Sequence, residues 1–336
     1  MHVHGVVLVM LLANLAVAQK PSSQSAAKTW MDLEVGTDLT WRAEGADVGE
    51  VAGGKSESGN ATREIRILCL GLDDDGKLRI AMIDEALPKE PHDVPIVNAE
   101  IAVLDPETSE LQRQPGGGGG PMQWSPLMAF PFPALTPAEW KAKKPVTKST
   151  VAPIGGEPQE LSLTFSFDKV KVGRKKVPVL VGAIDPGQPV AIRLVGIAGM
   201  VAMAEGRMPK LGASGVDPVE AMVTELRREY RLDAKGRLCE IHTTNKYEAA
   251  GGKIKLEGQH TMRETDRRKL AAKDLAAFTT LVEEICAIAN GRESRPERRQ
   301  RAEALQSDAK KLGLGPTVDR LVDSLTRDGL PPGLGR

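Results

Sequence analysis

Aromatic side chains are scarce, at 3% of the chain. A sugar-binding platform or a surface that stacks bases therefore has little material to work with. Any hydrophobic core must be built from Val, Leu, Ile, Met and Ala. A surplus of charge of one sign is missing too: Lys+Arg and Asp+Glu stand at 45 each. Binding nucleic acid takes an excess of basic side chains to neutralise phosphates, so no nucleic-acid partner is expected. The same balance excludes a strongly acidic disordered chain. Cysteine occurs only as Cys69, Cys239 and Cys286. That odd count at wide spacing describes neither a disulfide framework nor a zinc site. One Cys69–Cys239 bridge and three buried free thiols both stay open.

Motifs that carry chemistry are also absent. Gly116 to Gly120 lacks the Lys-Ser/Thr and the helix start that make a phosphate loop. Gly212-Ala-Ser214-Gly215 lacks the spacing of a nucleophile elbow. Asp73-Asp74-Asp75-Gly76 sets its acids side by side, where a calcium loop alternates them, and it reads as a hairpin turn. No catalytic, cofactor-binding or metal-ligating residue is assigned, and no cofactor is expected. The histidines beyond the N-terminal region are His92, His242 and His260. His242 and His260 fall on neighbouring predicted strands with Glu240 and Glu257 close in sequence. Acid–base or metal chemistry there would need them to face one pocket.

What is present begins at the N-terminus. Val6 to Ala13 is unbroken apolar sequence and no acid, Lys or Arg precedes Lys20. Ala16-Val17-Ala18 is the small-x-small pattern of a signal-peptidase site, so residues 1–18 read as a signal peptide cut before Gln19. The run is shorter than the roughly 20 residues a spanning helix needs. An exported protein, periplasmic or extracellular, with no stable membrane span after cleavage is expected. Residues 19–29 read as a flexible leader.

Residues 30–265 read as an antiparallel β domain. Leu33 to Arg42 opens it, and Gly45 to Gly59 reads as a mobile hairpin loop. Ile65, Ile67 and Cys69 alternate with Glu64, Arg66 and Leu68, and Leu78, Ile80 and Met82 continue after the Asp-Gly turn. Residues 115–159 are rich in Gly and Pro and read as a long loop or linker. Trp124, Leu127, Met128, Phe130, Phe132 and Trp140 inside it imply that it packs against something. Strands resume at Glu160, with further ones about 177–182 and 190–196. A meander follows over about 221–232, 237–248 and 253–264, turning at Asp233 to Gly236 and Ala250 to Gly252.

The period then changes. Ala271, Leu275, Phe278, Val282, Ile285 and Ala289 make one helical stripe, which Asp266 can cap and Asn290-Gly291 can end. Pro296 and Pro316 open two further helices. Residues 266–330 thus read as C-terminal helices, with 331–336 a disordered tail. The fold class is α+β: a curved antiparallel sheet, half-barrel-like, with a Gly/Pro-rich insertion and a helical tail.

Leu33-Glu-Val-Gly-Thr-Asp-Leu-Thr-Trp41 as an opening strand, and Tyr230-Arg-Leu-Asp-Ala-Lys-Gly-Arg-Leu238 as a late hairpin, carry a resemblance. Over about residues 30–265 the chain resembles uncharacterised bacterial exported half-barrel proteins, related in shape to periplasmic lipoprotein carriers. The resemblance implies a curved sheet that holds an apolar ligand under helices or loops, and it brings no catalytic residue. The leading expectation is an exported non-enzymatic binding or scaffold protein, with an apolar small molecule or an envelope protein as partner. The alternatives are an envelope interaction module using the C-terminal helices, and an exported hydrolase with a His/carboxylate site.

Overall fold

The computed structural model describes residues 31–51, 54–87, 95–107, 111–113, 133, 135–154, 157–172, 175–185, 190–194, 211–212, 215–216 and 219–326. The signal-peptide and leader readings, the Gly116–Gly120 run, His92, the apolar residues from Trp124 to Phe132 and the C-terminal tail lie outside them.

The strands are β1 (Thr37–Val51), β2 (Gly54–Leu72), β3 (Leu78–Ala86), β4 (Ile96–Leu104) and β5 (Leu111–Arg113) in the first half. A short helix α1 (Pro137–Ala142) precedes β6 (Val146–Ile154), β7 (Glu157–Val172), β8 (Lys175–Ala183) and β9 (Val190–Leu194). Next come the two-residue strands β10 (Leu211–Gly212) and β11 (Gly215–Val216), then β12 (Val219–Leu232), β13 (Leu238–Ala249) and β14 (Ile254–Lys269). Helices α2 (Ala272–Asn290), α3 (Arg295–Leu312) and α4 (Gly315–Thr326) close the described chain.

Apart from the β10–β11 pair, the strands form one 12-stranded antiparallel sheet in the order β5-β4-β3-β2-β1-β14-β13-β12-β8-β7-β6, with β9 also on β12. The sheet is open and curved, and with the helical tail it makes the expected α+β half-barrel-like fold. Two meanders meet where the first strand pairs the last, from Thr37 opposite Lys269 to Val51 opposite Ile254. The tight turns are built alike. Asp73 Oδ1 accepts from the N–H of Asp75 and Lys77 at 3.0 and 2.8 Å, and Asp233 Oδ1 from those of Lys235 and Arg237 at 2.8 and 2.9 Å. Gly76 and Gly236 supply the left-handed φ of 79° and 78° that each turn requires.

Three expectations are corrected. Gly45 to Gly59 is not a loop, because β1 and β2 run through it as a ribbon paired from Asp47–Ser58 to Val51–Gly54. Its composition is soft, but pairing of β1 with β14 supplies the ladder that local propensity does not. Within 115–159, residues 137–154 form α1 and β6. Thr136 and Glu139 make a reciprocal capping box around Pro137. Pro153 lies opposite Pro158 at the tip of an edge hairpin. The ladder with β8 covers only Thr164–Val172 of β7, so neither missing N–H breaks a central bond. Asp266 caps no helix, since β14 continues to Lys269 and Ala271 is the N-cap of α2.

Each face of the sheet carries its own core. The inner face holds the larger one, including Leu39, Trp41, Ile67, Ile80, Phe165 and Tyr230. Leu135, 0% exposed, packs into it from before α1, and Trp140 meets Phe167 edge-on at 5.5 Å. The outer face of β2–β4, with Leu68, Ile83 and Ala99, is covered by Phe278, Val282 and Ile285 of α2 and by Val318 and Leu321 of α4. The helical stripe is thus spent on the sheet, each large side chain contributing on the order of 1.5–3 kcal/mol. A buried ionic knot fastens the tail. Arg66 Nη2 donates to Asp38 Oδ2 at 2.8 Å, and its Nη1 donates to the Gly313 carbonyl at 3.2 Å. Arg268 pairs with the same carboxylate, and Arg320 and Thr317 of α4 hold Glu85.

Candidate functional site

In an antiparallel ladder, directly opposed residues share a face. Reading across β12, β13, β14 and β1, the inner face therefore falls into rows. Tyr230, Ile241, Met262 and Ala43 make an apolar row. Arg228, Thr243, His260 and Gly45 make the next, and Leu226, Asn245, Gly258 and Asp47 the one after. Val223, Tyr247, Leu256 and Gly49 then return to mainly apolar side chains. Two polar rows thus interrupt an otherwise hydrophobic face. The chain's two tyrosines flank them.

The glycines make this possible. A Cβ on Gly45 would collide with the His260 ring and lie 2.9 Å from the Gln259 carbonyl oxygen. A Cβ on Gly258 would collide with Asn245 and Asp47. With both positions bare, His260 lies over one glycine, and Asn245 and Asp47 lean over the other. His260 Nε2 meets Asp47 Oδ1 at 3.0 Å, with 37% and 57% of the two side chains exposed.

Three buried polar atoms in this notch lack a well-formed hydrogen bond, Arg228 Nε, the Tyr230 hydroxyl and Asn245 Oδ1, although the Arg228 guanidinium lies close enough to the hydroxyl to act on it. Burial pushes the Tyr230 phenol above its ordinary range, with the adjacent Arg228 guanidinium pulling the other way. Burial likewise raises Tyr247, opposed by Arg228 and by a hydrogen bond from Asn245. Among the described residues, no carboxylate pairs with Arg228. Leaving a buried polar atom unpaired costs about 1–3 kcal/mol, so three in one place form a feature that stability alone does not favour.

Another inner-face ion pair joins Arg63 to Asp84. Arg63 Nε donates to Asp84 Oδ1 at 2.8 Å. Burial raises the Asp84 carboxyl above the usual carboxylate range and Arg63 opposes it.

His242 and His260 do not share a pocket. His242 lies opposite Thr261 and His260 opposite Thr243, so the two rings point to opposite faces. His242 belongs to an outer charged ladder. It pairs with Glu240 and meets Thr261 Oγ1 at 3.1 Å, while Arg231 and Arg263 donate to Glu240 at 2.7 and 3.0 Å. Burial would raise the Glu240 carboxyl, but hydrogen bonds from His242 and Arg263 hold it below the usual range. The order hydroxyl, imidazole, carboxylate is that of a nucleophilic triad. It lies, however, on central strands whose backbone N–H groups are consumed by pairing, which leaves no donor pair for an oxyanion.

Cys69 and Cys239 form no bridge. β1 and β14 lie between their strands, which sets them at least about 14 Å apart at the usual strand spacing, beyond disulfide reach. Burial pushes the Cys69 and Cys286 thiols up to about 12. Asp73 to Asp75 lie in the turn described above, and no cluster of metal-ligating side chains occurs among the described residues. No described helix is long and apolar enough to cross a membrane.

No family model matches the chain. No curated protein matches it either. Among solved structures, a DUF1329 family protein from Desulfovibrio piger aligns over 71% of this chain and 90% of its own, at 9% identity and a TM-score of 0.16. The bifunctional dehydratase–cyclase domain of ambruticin biosynthesis aligns over 71% and 79%, at 12% identity and a TM-score of 0.13. Likenesses this slight say nothing about the site.

The notch was not found from sequence. Its residues read as ordinary strand positions. The available signals were Gly45 and Gly258 inside strand-like runs, where glycine marks close approach, and the placing of both tyrosines on one meander.

Proposed function

We propose that this chain is an exported, non-enzymatic binding protein that holds an amphiphilic small molecule on the inner face of its sheet. The single observation that carries the reading is the polar notch: unpaired buried donors and an acceptor, among side chains seated over two glycines, between apolar rows. Small-molecule sites commonly combine an apolar lining with a few converging polar groups. Export rests on the Val6–Ala13 run and the Ala16-Val17-Ala18 site. N-terminal sequencing of the secreted product should begin at Gln19.

Binding is tested by titrating the purified protein with N-phenyl-1-naphthylamine, a neutral apolar fluorophore, and displacing it with single-chain amphiphiles. Saturable binding and displacement, unchanged in Glu240→Gln on the outer face, are expected. Absence of saturable binding removes the reading.

A further inference from the structure

The notch has a chemical polarity of its own. Arg228 brings a cation with no carboxylate partner among the described residues, and its Nε is buried without a hydrogen bond. The Tyr230 hydroxyl, on a side chain with 0% exposure two positions along the same strand face, is likewise unpaired. An arginine and a phenol donor side by side match an anionic oxygen, which accepts charge-assisted hydrogen bonds in a fixed geometry. The one carboxylate in the polar rows, Asp47, meets His260 Nε2 at 3.0 Å. Asn245 Oδ1, diagonally across the ladder from Arg228, accepts rather than donates.

We infer that the ligand's polar end is anionic, that Arg228 and Tyr230 hold its charged oxygen, and that Asn245 receives a hydroxyl beside it. The ligand class is then a single acyl chain bearing a phosphate monoester or a carboxylate, with the glycerol phosphate head fitting all three atoms and the bare carboxylate fitting two. This rests on the inner face being a binding surface, and it adds what that surface selects.

The test compares three C16-chain probes against the full chain by displacement of N-phenyl-1-naphthylamine: palmitoyl lysophosphatidate, palmitate and hexadecanol. Lysophosphatidate should bind best, palmitate next, and hexadecanol at least about tenfold more weakly than lysophosphatidate, as expected for charge-assisted bonds made in a buried site. Arg228→Gln should bring both anions to the level of hexadecanol and leave hexadecanol itself unchanged. Tyr230→Phe, which keeps the ring packing, should weaken the anions several-fold and serves if Arg228→Gln does not fold. Equal binding of all three by the wild type, an anion preference that survives in Arg228→Gln, or an anion affinity unchanged in Tyr230→Phe overturns the anionic head while leaving a binding surface in place. If hexadecanol and the anions all fail to displace the fluorophore, the binding surface falls and the head group with it.

Discussion

Replacing Tyr230 by Phe separates a structural from a functional role for the notch. In the folded chain the Tyr230 hydroxyl is buried and has no hydrogen-bond partner, while its ring packs 6.4 Å from Phe165, centroid to centroid. Phe keeps the ring and removes only the oxygen. An unpaired buried hydroxyl costs about 1–3 kcal/mol, so the variant should gain about 1 kcal/mol of stability once some relaxation of the unpaired group is allowed for. In a chain of this size that corresponds to a rise in Tm of about 2 °C. Chemical denaturation and calorimetry of ligand-free protein measure it directly. The same variant should bind amphiphilic anions less well, so stability and binding move in opposite directions, as they do where a site is kept strained for its ligand. If Tyr230→Phe instead loses 1 kcal/mol or more, the hydroxyl is satisfied in the native state and the notch is a structural network.

Other perturbations test separate parts of the structure. Gly258→Ala drives a Cβ into Asn245 and Asp47, and should destabilise by about 1–3 kcal/mol in denaturant melts; an unchanged midpoint would show that the notch has slack. Asp38→Ala leaves Arg66 buried and unpaired against the Gly313 carbonyl, with an expected loss on the order of 3 kcal/mol and faster amide exchange in α3 and α4; retained protection of those helices would count against the knot. Glu240→Gln bears on pH. The folded carboxyl is held below its ordinary range, so its contribution is fully present above the unfolded pKa of about 4.3 and is lost as pH falls towards the folded value. The variant should therefore show a shallower acid limb of stability, and an acid limb identical to wild type would contradict the ladder.

Sequence and structure agree where local chemistry decides. The Asp-x-x-Gly turns, the alternation of Ile65, Ile67 and Cys69, and the starts of α3 and α4 near Pro296 and Pro316 were all readable, because each depends on a few neighbouring side chains. Gly45 to Gly59 was misread because its strands are held by a partner 200 residues away, a bond that composition cannot display. Asp266 looked like a cap for the same reason, since β1 extends the ladder past it. The notch was hidden by register. Only when β1 is laid against β14 and β14 against β13 do Gly45 and Gly258 come under His260 and Asn245, and only the β12–β13 register puts two tyrosines and one unpaired arginine on a shared face. His242 and His260 show the converse. Neighbouring strands suggested proximity, and a one-residue offset put them on opposite sides.

Native mass spectrometry of the protein purified without detergent bears most directly on the inner face as a ligand-holding surface. The protein should carry a released species of lipid-like mass that is anionic after extraction, and Arg228→Gln should carry less of it. A bare chain mass that accepts no added single-chain amphiphile would contradict the account.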